Sequence, residues 1–304
     1  MERGVAKILI TGAASGIGYW TAVKIAEYAS CLILVDKNSE QLKRLKEQIP
    51  EVVTVDCVTA DLSSMVELKR LIKYVKENYS HIDILINNAG GVFREFSLTA
   101  EGIDKTIATN YLSTAALCSG LLPLLKTSEY GKILNVTSDL HRFGDYDFRL
   151  FSNKPKPLIF SLHDFIARPS FWILCFLMGD YMIRSYATSK LFMVLYTIEL
   201  AAQNAHTSLS INLFHLGVVK TKLALKKVNF LQSFIWQILS AFKSKSPQKA
   251  AENIVYWTCI KNDYTLSGKY FDSQKIIEPS IVVLNTAKRQ RFWRETEQLL
   301  LRVL

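Results

Sequence analysis

Short apolar runs alternate with amphipathic stretches through the first half of the chain. Residues 5–10 (VAKILI) form the first run, followed by a glycine turn and a helical stretch to residue 29. Residues 32–35 (LILV) form the second run and end on Asp36. Asn38 can cap a helix through residue 49, because its side-chain oxygen can accept an unpaired amide of the first turn. A strand at 52–55 follows, then a helix from residue 63 to about residue 79. There Met65, Leu68, Leu71, Ile72 and Val75 recur at the helical period. Residues 82–86 read as the fourth strand, about 101–126 as a long helix, and 132–136 as the fifth strand.

Apolar strands joined by helical crossovers predict a parallel sheet covered on both faces. Right-handed crossovers then leave the doubly wound, Rossmann-type α/β arrangement. Such sheets bind ligands beyond the carboxyl ends of their strands. The residues at those ends are 11–18, Asp36, Asp61, 87–90, Ser138 and 215–221.

The second half is less regular. Residues 139–180 hold Pro155, Pro157 and Pro169 and two aromatic-rich stretches. A helix is expected over about 181–204, a sixth strand at 209–213, a helix over about 247–260 and an edge strand at 268–271. The last helix, 287–303, is basic and amphipathic. No Gly/Ser- or Pro-rich linker divides the 304 residues, so a single domain is expected. It would carry an insertion at about 142–180 and an excursion at about 222–246.

Composition narrows the class. Hydrophobic residues make up 49% and the mean hydropathy is +0.14, enough to bury a core and somewhat oily for a soluble enzyme. The five cysteines and five histidines lack ligand spacing, so buried free thiols are expected, with no metal site and no disulfide framework. No signal peptide precedes the first run. The longest apolar candidate for a membrane span, residues 171–178, is too short. The expectation is a cytoplasmic protein, peripheral at most on an intracellular membrane. The formal charge of +10 is unevenly placed, with 15 Lys/Arg against 6 Asp/Glu in residues 217–304. Anionic lipid, nucleic acid or an acidic partner could each use it. No nucleic-acid-binding signature accompanies it, which ranks lipid first and argues against a nucleic-acid partner.

The glycine turn, Thr11-Gly-Ala-Ala-Ser-Gly-Ile-Gly18, lies between a strand and a helix. Glycines there let the backbone approach a pyrophosphate, and the helix N-terminus offers its amides. Asp36 follows Gly12 by 24 positions. A carboxylate there accepts both adenosine ribose hydroxyls and repels a 2′-phosphate, which favours NAD. Lys37 beside it weakens the exclusion of NADP. Asp61 reads equally well as an adenine contact or a helix cap before Ser63. Asn87-Asn-Ala-Gly90 is small enough to pass close to a cofactor, or is a plain turn.

These motifs, with Asn110, Ser138 and Tyr186-Ala-Thr-Ser-Lys190, occur in the order of the short-chain dehydrogenase/reductase superfamily. The resemblance spans roughly residues 5–271. Within it the chain is most similar to the retinol-dehydrogenase-like branch, through GKILNVTS (131–138), the long gap before Tyr186, and SGKYF (267–271). The resemblance implies cofactor contacts at Gly12, Ser15, Gly16, Ile17, Gly18, Asp36, Asp61, Asn88, Ala89, Gly90, Tyr186, Lys190, Val219 and Thr221. It implies a catalytic set of Asn110, Ser138, Tyr186 and Lys190. Tyr186 would move the proton at the substrate oxygen. A free phenol titrates near ~10, and Lys190 one turn away would lower that and hold the nicotinamide ribose. Ser138 would hydrogen-bond the substrate oxygen, and Asn110 would hold a water linking Lys190 to solvent. Leu216 stands where the family usually has proline, which bears on loop rigidity.

Ser138 and Tyr186 lie 48 positions apart, so the segment between them is expected to loop out beside the pocket. Its aromatics Phe160, Phe165, Phe171, Trp172 and Phe176 could line an apolar site or pack on the body. In the excursion, Phe230, Leu231, Phe234, Ile235, Ile238, Leu239 and Phe242 fall on one helical stripe flanked by lysines. That stripe could cover the pocket, dock on a membrane or pair with a second copy as a homodimer. The resemblance implies an NAD(H)-preferring oxidoreductase for a lipophilic hydroxyl or carbonyl of retinoid, steroid or fatty-chain type. The rival is a dinucleotide-binding scaffold without turnover.

Overall fold

The computed structural model describes residues 2–152, 180–215, 217, 245–261 and 263–304. Among them, eight strands form one sheet in the order β3-β2-β1-β4-β5-β6-β7-β8. They are β1 Ala6–Thr11, β2 Ala29–Asp36, β3 Thr54–Thr59, β4 Ile84–Asn87, β5 Lys132–Thr137, β6 Ser210–His215, β7 Tyr270–Asp272 and β8 Lys275–Ile277. Every pairing is parallel except β7 with β8. This is the doubly wound α/β fold expected, and its order reverses between β1 and β4. A crevice at the carboxyl ends of those two strands is where such a sheet takes a ligand.

Period-two alternation divides the core between the two faces. Ile8, Ile10, Leu32, Leu34, Ile84 and Ile86 pack with helices α1 (Gly16–Ile25), α2 (Ser39–Lys46) and, further along the sheet, Pro247–Val255. Leu9, Ile33, Val35 and Leu85 pack on the opposite face, with α3 (Met65–Asn78) and the helices over Ser113–Lys126 and Asp180–Gln203. Asn38 caps α2 by accepting the Gln41 amide, as expected, and Ser64 rather than Asp61 caps α3.

The helix expected over 101–126 is built in three pieces. Asp104 caps a short α4 (Lys105–Ile107), a π-helical turn spans Ala108–Leu112, and α5 runs Ser113–Lys126. The whole stretch is long and apolar enough to cross a membrane, but 67% of its most apolar window is buried inside the protein. It therefore reads as a core helix. α6 (Asp180–Gln203) crosses the same face, and α7 is Pro247–Val255. After β8 come α8 (Ile281–Leu284) and α9 (Thr286–Val303), which packs on α6. Phe292 of α9 packs, tilted, against Phe192 and Phe148, and the Tyr111 and Thr296 hydroxyls hydrogen-bond.

The described start of the segment expected to loop out, residues 142–152, lies against the body. Leu150 and Phe151 are buried in the core, and Phe151 stacks on Phe192 at 5.3 Å. Aromatic burial against α6 and α9 holds residues 148–151 to the body. The aromatics named between 160 and 176, and the stripe at 230–242, lie outside the described residues. Strand β3 also starts and ends later than the 52–55 run, and β8 is an addition.

Candidate active site

The glycine loop follows β1 at the crevice. Gly12 has φ +65°, and a Cβ there would stand 2.8 Å from the Ala89 Cα. A Cβ on Gly18 would stand 2.1 Å from the Gly12 carbonyl oxygen. Neither position admits a side chain, so strand, loop and helix pack backbone to backbone. Ser15 precedes α1 but makes no side-chain capping bond, and no acidic residue occupies the first turn. The first amides of α1, including those of Gly16, Ile17 and Gly18, are thus available to an anion.

Residues 87–90 brace this loop. The Thr11 hydroxyl accepts the amides of Asn88 at 3.1 Å and Ala89 at 3.0 Å. The Asn88 side-chain amide donates to the carbonyls of Thr11 at 3.0 Å and Gly12 at 3.2 Å. Thr11 is a functional residue the sequence reading left among the loop residues without a role. Its signal is positional, since it is the last residue of β1.

Asp36 is half-buried at the end of β2. One carboxylate oxygen accepts the Ala14 amide at 3.1 Å and the other the Asn38 amide at 3.1 Å. Asp36 therefore anchors the glycine loop as well as presenting negative charge beside it. Asp61 accepts both the amide and the hydroxyl of Ser63. Burial pushes its carboxyl up, but those bonds and the Lys37 and Lys105 charges together hold it below the usual range.

β5 and α6 bring the remaining groups together. Ser138 follows β5, and its side chain lies close enough to Tyr186 to pull the phenol's pKa down. Lys190 sits one turn along from Tyr186, with its ammonium 5.7 Å from the phenol ring centre. It is only 3% exposed and donates to the Val136 carbonyl at 3.0 Å. A Cβ on Gly90 would lie 3.6 Å from the Lys190 Nζ, so the loop after β4 runs against the lysine.

The electrostatics differ from the expected phenol acidified by its neighbour. Burial pushes the Tyr186 hydroxyl up to about 12, against a downward pull from the Ser138 side chain. Burial also pushes Lys190 down to about 8. The ammonium donates to the Val136 carbonyl, and desolvation moves both groups toward their neutral forms.

Asn110 lies in the π-helical turn and is fully buried. Its amide oxygen accepts the Gly91 amide at 2.7 Å. Its nitrogen donates to the Gly91 carbonyl at 2.8 Å and to the Ser189 hydroxyl at 3.1 Å. The sequence expectation gave this side chain a water. In the structure it ties the loop after β4 to the turn of α6 that carries Lys190.

A buried polar cluster orients the start of α6. Tyr181 donates to the Asp104 carboxylate at 2.7 Å and Ser185 donates at 3.2 Å. The 3-10 turn after Ser138, Asp139–Phe143, adds His141, which the sequence reading did not single out, and meets His215 at the end of β6. The Asp139 amide donates to His215 Nδ1 at 3.0 Å. Leu216, Val219 and Thr221 lie outside the described residues. Gly217 is described, with φ +74° in the left-handed region that favours glycine.

The residues present fit a dinucleotide. Two glycines whose Cβ would collide make room for its approach, uncapped amides offer to its phosphates, and a carboxylate stands at the end of β2. The fold and this crevice define a dinucleotide-binding oxidoreductase class. Comparison with known proteins agrees. The pattern of the short chain dehydrogenase family matches residues 6–150. Retinol dehydrogenase 13 of Mus musculus is 28% identical over 298 residues, covering 96% of this chain and 83% of its own. The WW domain-containing oxidoreductase of Drosophila melanogaster is 28% identical over 298 residues, covering 96% and 68%. Among solved structures, L-sorbose reductase from Gluconobacter frateurii, complexed with NADPH and L-sorbose, shares the fold at TM-score 0.65. It is 18% identical, with 90% of this chain and 96% of that one covered. Over residues 6–150 the chain is similar to the short chain dehydrogenase family, and along most of its length it is similar to retinol dehydrogenases.

Proposed function

We propose that this oxidoreductase transfers a hydride between NAD(H) and the hydroxyl or carbonyl of a lipophilic small molecule of retinoid, steroid or fatty-chain type. The observation that carries the reading is the convergence of Ser138, Tyr186 and Lys190 beside the glycine cradle. The dinucleotide, when bound, supplies or takes up the hydride. Gly12, Ser15, Gly16, Ile17 and Gly18 would hold its phosphates, and Asp36 and Asp61 its adenosine. Asn88, Ala89 and Gly90 would lie against it, and Val219 and Thr221 are the candidates for its carboxamide and phosphate contacts.

In reduction, the Tyr186 hydroxyl gives its proton to the substrate oxygen. In oxidation, the phenolate takes that proton. Ser138 donates a hydrogen bond to the same oxygen and holds it within reach. Lys190 holds the ribose and, once turned toward the phenol, favours the phenolate. Asn110 keeps the loop after β4 and the Lys190 turn in register.

Preference for NAD rests on Asp36, whose carboxylate would repel a 2′-phosphate. The lipophilic substrate class is supported by the named relatives and by the apolar segments at 160–176 and 230–242. Peripheral contact with an anionic membrane belongs to the same proposal, since Lys288, Arg291, Arg294 and Arg302 of α9 are all exposed. The test is oxidation of NADH and NADPH by the pure protein with retinaldehyde, a steroid ketone and a long-chain aldehyde. Turnover with at least one, faster with NADH, is expected. Inertness toward all three would favour the scaffold reading, and faster turnover with NADPH would overturn the Asp36 argument.

A further inference from the structure

His141 is fully buried three residues after Ser138, and each ring nitrogen has one definite role. Nδ1 lies 2.9 Å from the Ser138 carbonyl oxygen, which can only accept, so Nδ1 carries the hydrogen. Nε2 lies 3.1 Å from the Ser280 amide, which can only donate, so Nε2 is bare. The two partners thus select a single neutral tautomer. The neighbouring Arg142 donates to the Glu278 carbonyl at 2.6 Å, so two consecutive residues grip the segment between β8 and α8.

We propose that His141 is the positioning residue for Ser138, fixing the serine's backbone against the segment 278–280 so that its side chain stays beside Tyr186. This rests on the proposed function, in which Ser138 orders the substrate oxygen. The Ser138 hydroxyl also accepts the Leu140 amide at 3.3 Å, so the turn and the hydroxyl move together. Burial pushes His141 down to about 4, in keeping with a ring that stays neutral. The titratable groups around it are Asp139 and Arg142 on its own turn, His215 at the end of β6, and Tyr270 of β7, whose hydroxyl lies 3.4 Å from Nδ1. Protonating Nε2 would set an N–H against the Ser280 N–H and break the clamp. The segment so tied carries Ile281 and Leu284, which are 87% and 52% exposed, so a disturbance there has a route to Ser138.

Three variants and one spectrum test this. His141→Ala should lower kcat by about 10- to 100-fold while cofactor Kd stays unchanged, as a displaced catalytic group costs rate rather than cofactor binding. His141→Asn keeps the donor to the Ser138 carbonyl but not the acceptor for Ser280, and should recover only part of that loss. Ser280 has φ −64°, which proline tolerates, so Ser280→Pro deletes the amide hydrogen together with a buried hydroxyl that makes no hydrogen bond among the described residues. That variant should move the acid limb of the kcat/KM profile to higher pH, because Nε2 is freed to take a proton. The 15N shifts of His141 in the cofactor-free protein should report the Nδ1–H tautomer. Equal activity losses in the Ala and Asn variants, an unmoved acid limb in Ser280→Pro, or an Nε2–H tautomer would each overturn the proposal. A wild type inert toward every carbonyl would overturn the proposed function instead, while the tautomer spectrum still tests the clamp.

Discussion

The side chains of Ser138 and Tyr186 lie close enough for the serine to lower the phenol's pKa, although 48 positions separate them in the chain. β5 delivers one and α6 the other, and the chain between them starts by packing Leu150 and Phe151 into the core. Their meeting beside the glycine loop is what turns a nucleotide-binding sheet into a candidate catalyst.

The glycine cradle has a sharp steric signature. Gly18→Ala should abolish measurable dinucleotide binding and cost roughly 1–3 kcal/mol of stability, since its Cβ must displace the Gly12 carbonyl. Isothermal titration and thermal melting together check this. A variant that binds cofactor like wild type would mean the loop is not the phosphate site.

Asp36 has two jobs that one substitution separates. Asp36→Ala should narrow discrimination between NADH and NADPH and also lower Tm, because the Ala14 and Asn38 amides lose their acceptor. Steady-state kinetics with both cofactors reads the first effect and calorimetry the second. Unchanged discrimination with a lowered Tm would leave Asp36 a purely structural anchor.

Stability should depend on pH in two windows. His141 falls from an ordinary value of 6.5 to about 4 in the folded protein. The unfolded chain therefore binds more protons between those values, and stability drops as pH falls through them, by roughly 3 kcal/mol in all. Lys190 falls from 10.5 to about 8, so stability rises with pH across that interval. Denaturant unfolding between pH 4 and pH 10 measures both. In His141→Asn the acid slope should flatten, and a slope unchanged from wild type would assign it to other groups.

Membrane contact through the basic last third predicts flotation with anionic vesicles at low salt and release at high salt. Protein that stays in the soluble fraction at low salt removes that part of the proposal.

Much of the fold was legible because its signals are local. The apolar run ending at Ile10 became β1, and the spacing of Met65, Leu68, Leu71, Ile72 and Val75 became the buried face of α3. The glycine loop, Ser138, Tyr186 and Lys190 were legible as motifs and as a family resemblance. What escaped depends on distant partners. The π-helical turn at Asn110 has no local marker within an apolar helix, yet it decides that the side chain reaches Gly91 and Ser189. β8 is short and exposed and forms only because β7 offers an edge. His141 gains its role from Ser280, 139 positions away. The electrostatics of Tyr186 and Lys190 follow from burial, which spacing alone does not report.

The central claim is that the Tyr186 hydroxyl moves the proton. Tyr186→Phe removes that oxygen and little else, so the direct measurement is its single-turnover rate beside its cofactor Kd. The account predicts a rate lowered by about 10²- to 10⁴-fold with cofactor binding retained. A variant that turns over at the wild-type rate would contradict it.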